Sequence, residues 1–109
     1  MVDPDAFGLT RDELAAALGA ENIDTRKYYD PPVHRQTAYR RYADGRPLPN
    51  TEWLAAGSLS LPIGSNMEDS TALGVCRAVS RLYEQSREVR GVMRSRSPRP
   101  VACAGAGRP

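Results

Sequence analysis

The 109-residue sequence predicts a small α/β domain of α+β character, with a separate tail behind it. Three observations carry that expectation. Residues 9–14 spell a fully signalled helix start, residues 23–29 and 58–61 alternate as half-exposed strands do, and residues 68–85 carry a long apolar stripe at helical spacing. The resulting division is a lead-in at 1–5, a domain at 6–85 and a tail at 86–109.

Thr10 is placed to cap the first helix, with Glu13 three residues on completing a Thr-x-x-Glu capping box. Leu9 before the cap and Leu14 inside it make a hydrophobic staple, and Leu14, Ala17 and Leu18 then share one face. Gly19 suits a left-handed C-terminal position, so the helix is expected over about 11–21. From Ile23 to Tyr29 the residues alternate, until Asp30-Pro31-Pro32 ends the run because proline has no N–H to give a ladder. A short helix is expected around 37–42. Thr51 reads as the cap of another at 52–56, stopped by Gly57, and Ser58-Leu59-Ser60-Leu61 reads as a second strand ended by Pro62. In the long helix, Ala72, Cys76, Val79 and Tyr83 form the expected inner stripe, widened by Leu73, Val75 and Leu82. Two strands make a poor sheet on their own, so the module reads as unfinished.

Composition narrows the function classes. The length excludes a large two-domain enzyme within this chain, and no apolar run reaches the roughly 20 residues that span a bilayer. The N-terminus lacks the basic start and apolar stretch of a secretory signal, so the expected compartment is cytoplasmic. Two cysteines, Cys76 and Cys103, and one histidine, His34, leave no zinc set and no disulfide framework. Cys76 reads as a small core residue on its helix face, in preference to half of a Cys76–His34 dyad. Gly45, Gly57 and Gly64 are isolated, so there is no phosphate-cradling glycine loop. The net charge of +2 conceals an asymmetry: residues 1–85 hold nine basic and twelve acidic side chains, residues 86–109 six arginines and one glutamate. That tail, with its Arg-Ser-Arg-Ser-Pro-Arg-Pro run, lacks the apolar surface to offset ordering entropy and is expected to be disordered.

One stretch concentrates polar chemistry in an irregular segment: Tyr28-Tyr29-Asp30-Pro31-Pro32-Val33-His34-Arg35-Gln36. Prolines stiffen the backbone there, while phenols, an imidazole, a guanidinium and an amide project from it, a set suited to an anionic or sugar ligand. The plain alternative is a surface turn whose tyrosines pack against the sheet.

Residues 23–39, Leu48-Pro49-Asn50-Thr51-Glu52, Leu59-Ser60-Leu61-Pro62-Ile63 and Met67-Glu68 together resemble, in order and spacing, the nucleotide-sugar aminotransferases of the DegT/DnrJ/StrS type. Phe7 to Leu14 resembles the helix before them, so the resemblance covers about residues 6–85, the C-terminal small domain of that family. It implies an aspartate-aminotransferase-type fold and pyridoxal phosphate chemistry, moving an amino group from glutamate to a ketosugar on a nucleoside diphosphate. It also implies homodimers. Tyr29, His34, Arg35 and Gln36 become the candidate substrate contacts, with Arg35 suited to a diphosphate. Thr51 and Glu52 are expected to cap and orient their helix.

The family's Schiff-base lysine and phosphate cradle lie in a large domain that precedes this region. Lys27, the one lysine of the chain, does not sit where that Schiff base forms. The expectation is therefore an N-terminally truncated fragment, inactive alone, with no catalytic or cofactor-binding residue of its own and possible pairing with a separately encoded large domain. The competing expectation is a non-enzymatic protein using the arginine tail on nucleic acid or a partner, against which stand the acidic body and the lack of an aromatic platform in the tail.

Overall fold

A computed structural model describes residues 1–96 of the chain. Its elements are five helices: α1 (Pro4–Phe7), α2 (Arg11–Ala20), α3 (Pro49–Gly57), α4 (Asp69–Glu84) and α5 (Ser86–Arg96). Two short 3-10 turns, Val33–Arg35 and Arg40–Tyr42, lie between α2 and α3.

Helix α2 forms as its sequence dictates. The Thr10 hydroxyl accepts from the Glu13 amide at 3.2 Å, and the Glu13 carboxylate accepts from the Thr10 amide at 2.8 Å. Its end differs by a few residues. The left-handed residue is Asn22 (φ 60°), after a C-cap at Glu21, so Gly19 stays inside the helix. Leu9, Leu14, Ala17 and Leu18 go fully under and meet Ala78 and Leu82 of α4. The lead-in is also ordered: Asp3 caps α1 by accepting from the Asp5 amide at 3.0 Å, and the Val2 amide donates to Gly57 O at 2.8 Å. Gly8 ends α1 at φ 90°, where a side chain would strain the backbone and collide with Ser86.

The two expected strands are corrected. Among the described residues, segments 23–29 and 58–61 meet only at one antiparallel bridge, Arg26 with Ser60, through bonds of 3.0 and 2.8 Å. Alternation within a segment supplies a pleat, but a ladder grows only where further strands pair with it. The described residues are therefore helical with a single bridge.

Three expectations about helices change as well. The segment at 37–42 contributes only the 3-10 turn at Arg40–Tyr42. Helix α3 starts at Pro49 behind Leu48 with no side-chain cap, so Thr51 lies inside the helix; proline at the first helical position already has the required φ and no orphan N–H. The buried stripe of α4 is Val75, Ala78 and Leu82, whereas Cys76 is exposed, as are Ala72, Leu73 and Tyr83. The helix is rotated from its expected setting because two elements, α2 and α5, determine its inner face. Phe7 meets Tyr83 edge-on at 5.5 Å, which gives that exposed ring a partner.

The expected disorder from residue 86 is corrected for 86–96, which form α5; residues 97–109, with Cys103, lie outside the described residues. Val89 and Met93, four residues apart, pack on the core, and Arg90 reaches Glu13 at 3.6 Å. A pair at that spacing suffices to anchor a charged helix once a core exists to receive it.

Candidate functional site

The polar, aromatic stretch at 28–36 and helix α3 enclose a cleft of about 620 Å³. Tyr28, Tyr29, Tyr39 and Tyr42 line it with Leu48 and Leu54, and His34 stands at its wall. The four phenol rings are 49–71% exposed, so aromatic faces stand open to a ligand or a covering surface.

What holds this loop is polar. Arg11, 5% exposed, donates from Nη1 to Ala55 O at 2.7 Å, and its Nη2 meets Asp30 Oδ2 at 2.5 Å. One guanidinium thus ties the start of α2 to the end of α3 and to the loop's Asp-Pro-Pro corner. The fork shape of arginine is what allows a single side chain to serve partners in two directions. At its outer edge Asp12 sits 3.0 Å from Arg11 Nε and 2.5 Å from Lys27 Nζ. The hydrogen bond from Lys27 holds the Asp12 carboxyl below the usual carboxylate range, with the adjacent Arg11 charge acting in the same direction.

The four residues singled out from the sequence divide into two pairs. Tyr29 and His34 line the cleft. Arg35 turns instead to Glu52, with Nε 2.8 Å from Oε1, and Gln36 donates from Nε2 to Pro31 O at 3.1 Å, bracing the loop. His34 Nε2 lies 2.6 Å from the same Glu52 oxygen, so His34 is engaged with a carboxylate while Cys76 lies exposed on α4.

Two residues central to this geometry escaped sequence reasoning. From the sequence Glu52 reads as a helix-orienting acid, and Arg11 belongs to no expected site. Arg11 did leave a signal: a cation in the first turn of a helix opposes the helix dipole and needs a reason to be there. Among the described residues no group of three His, Cys, Asp or Glu could hold a metal ion, and no helix is long and apolar enough to cross a membrane.

Comparison with known proteins gives the same placement from sequence and from structure. Residues 1–80 match the model of the DegT/DnrJ/EryC1/StrS aminotransferase family. Over 76 residues the chain is 43% identical to the dTDP-3-amino-3,4,6-trideoxy-alpha-D-glucose transaminase of Streptomyces venezuelae, an alignment covering 69% of this chain and 20% of that protein. A crystal structure of DesI in the presence of its TDP-sugar product superimposes with a TM-score of 0.75 at 34% identity, over 85% of this chain and 24% of that one. The chain thus spans about a fifth of the length of the curated relative it matches. That likeness supports the aminotransferase fold, of which the described helices and single bridge are one portion. Matched over most of its length by the family model, the chain belongs to the DegT/DnrJ/EryC1/StrS aminotransferases, a family that in general depends on pyridoxal phosphate.

Proposed function

We propose that this chain is the C-terminal, ligand-facing portion of a sugar aminotransferase that moves an amino group from glutamate to a nucleotide-linked ketosugar, as part of nucleotide-sugar biosynthesis in the cytoplasm. The observation that carries this reading is the cleft: Tyr29 and His34 come together on it within a segment 43% identical to a dTDP-sugar transaminase. Open tyrosine faces suit the apolar face of a sugar or base, and an imidazole suits its hydroxyls. Arg35, whose exposed guanidinium is paired with Glu52, is the group that would turn to a diphosphate when one binds, and Gln36 keeps the loop in shape.

The residues of this chain do not fit the cofactor. Pyridoxal phosphate requires an amine free to form a Schiff base, together with a phosphate cradle. The single lysine, Lys27, is ion-paired to Asp12 at 2.5 Å and lies outside the cleft lining. The exchange itself therefore belongs to a large domain, on the same polypeptide or separately encoded, and to the homodimer typical of the family. By itself the chain is inactive and retains no cofactor.

The test is a graft. Residues 1–85 replace the matching segment of the Streptomyces venezuelae transaminase, and turnover of its dTDP-sugar is measured. Activity is expected in the graft, with kcat/KM lowered about tenfold or more by His34→Ala, the effect of a lost hydrogen bond in a desolvated site. An unchanged kcat/KM in that variant removes His34 from the ligand site.

A further inference from the structure

Glu52 gives one carboxylate oxygen to two consecutive side chains of the tyrosine–proline loop. His34 Nε2 lies 2.6 Å from Oε1, and Arg35 Nε lies 2.8 Å from the same atom. Glu52 stands in the first turn of α3, where a negative side chain suits the helix dipole. The imidazole and the carboxylate are 22% and 31% exposed, so the contact is partly withdrawn from water, while the more exposed Arg35 balances the charge.

The geometry decides a proton. An ionised carboxylate offers only acceptors, so a contact at 2.6 Å requires the imidazole to donate from Nε2. In the neutral ring the other nitrogen then carries a lone pair and no proton. Among the described residues Nδ1 has no hydrogen-bond partner, and His34 lines the tyrosine cleft.

We propose that Glu52 is a positioning residue: it locks His34 as the Nε2–H tautomer and presents Nδ1 at the cleft as an acceptor for a ligand hydroxyl. The opposite tautomer would offer an N–H there and select a carbonyl or phosphate oxygen instead. Glu52 thus determines which class of group the cleft reads at this point, a donor in preference to an acceptor. The ligand half of this inference rests on the sugar reading above; the tautomer does not.

The chain's single histidine makes the test direct. The full chain is labelled with 15N-histidine, and NMR at a pH where the ring is neutral identifies which nitrogen carries the proton. We expect Nε2–H, with a ring N–H signal slow to exchange with water. Glu52→Leu should lose that slow-exchanging signal and relax the ring to a mixture of tautomers. Glu52→Asp, which keeps the charge and withdraws the oxygen by one methylene, should lose it too and answers the question should the leucine variant fail to fold. An Nδ1–H ring in the wild-type chain, or a slow-exchanging N–H that survives in Glu52→Asp, overturns the proposal. In the grafted enzyme Glu52→Leu and His34→Ala should lower kcat/KM by similar factors, with the double variant no worse than either alone. Additive losses would put the two residues in separate roles and overturn it as well. Failure of the sugar reading shows separately, as a His34→Ala graft that turns over unchanged.

Discussion

The two halves of this molecule are built on opposite terms. Where α2, α4 and α5 meet, aliphatic side chains are removed from water: Leu9 and Leu18 reach 0% exposure and Leu14 and Leu82 stay under 10%. Around the tyrosine–proline loop, Tyr29 and Tyr42 stay 63% and 71% exposed, and order comes from a few directed polar contacts centred on Arg11 and Glu52. The first region is stabilised by area, which tolerates small shifts; the second by geometry, which does not. A binding surface gains from that division, because aromatic faces used to hold the fold are not available to a ligand.

Three changes would break or sharpen this contrast. Leu18→Ala removes a wholly buried side chain from the centre of the helical half and should cost about 2–5 kcal/mol. In a domain this small that is enough to abolish the cooperative unfolding transition in urea. A loss well under 1 kcal/mol would mean that the α2–α4 contact is not the core. Arg11→Met keeps the stem's volume but deletes the donors to Ala55 O and Asp30, for a loss of about 1–3 kcal/mol. Its signature is local: amide exchange in 28–36 should speed up more than in α4. Equal acceleration in both would show that the loop is not held independently.

The smallest effect concerns acid. The Glu13 carboxyl is held below its ordinary range, first by the Thr10 amide that donates to it. Asp12 is held low chiefly by Lys27. Because these folded-state values lie below the unfolded ones, the stability they contribute is complete at neutral pH and is lost as pH falls through about 4 and below. Thr10→Ala should cost about 1 kcal/mol at neutral pH by removing the hydroxyl that accepts from the Glu13 amide. It should leave most of the acid limb in place, since the Thr10 amide that donates to Glu13 is backbone and survives the substitution. An acid limb that disappears in the variant would mean that Glu13 is held low by the Thr10 hydroxyl or by the helix start as a whole, and not by the amide.

The fold was legible where it is local. The capping box and staple of α2 are written within six residues, and the span of α4 follows from its long apolar period. The face that α4 buries was legible in part: Val75, Val79 and Leu82 belong to the expected stripe, whereas Ala78 goes under and Cys76 faces out because of where α2 and α5 lie. Helix α5 was hidden by its arginines, although Val89 and Met93 carry the helical spacing that a core can use. The alternation at 23–29 and 58–61 promised a sheet, and without neighbouring strands it yields one bridge. In the candidate site, Tyr29 and His34, candidates through the family resemblance, both line the cleft. Arg11 lies 19 residues from Asp30 and 44 from Ala55, and Glu52 lies 18 from His34, separations that no local pattern encodes.

From the sequence by itself came the family, the spans of α2 and α4, the polar, aromatic loop singled out as the candidate site, and the single lysine. These follow from residue identity and short-range periodicity, which are properties of a chain whether or not it is folded. Tertiary structure alone decided that Arg11 braces the loop, that Arg35 turns to Glu52, and that His34 has one ring nitrogen occupied and one free. The reason is physical: a hydrogen bond assigns a proton only when its donor and acceptor are within about 3 Å, and only folding brings such distant residues that close.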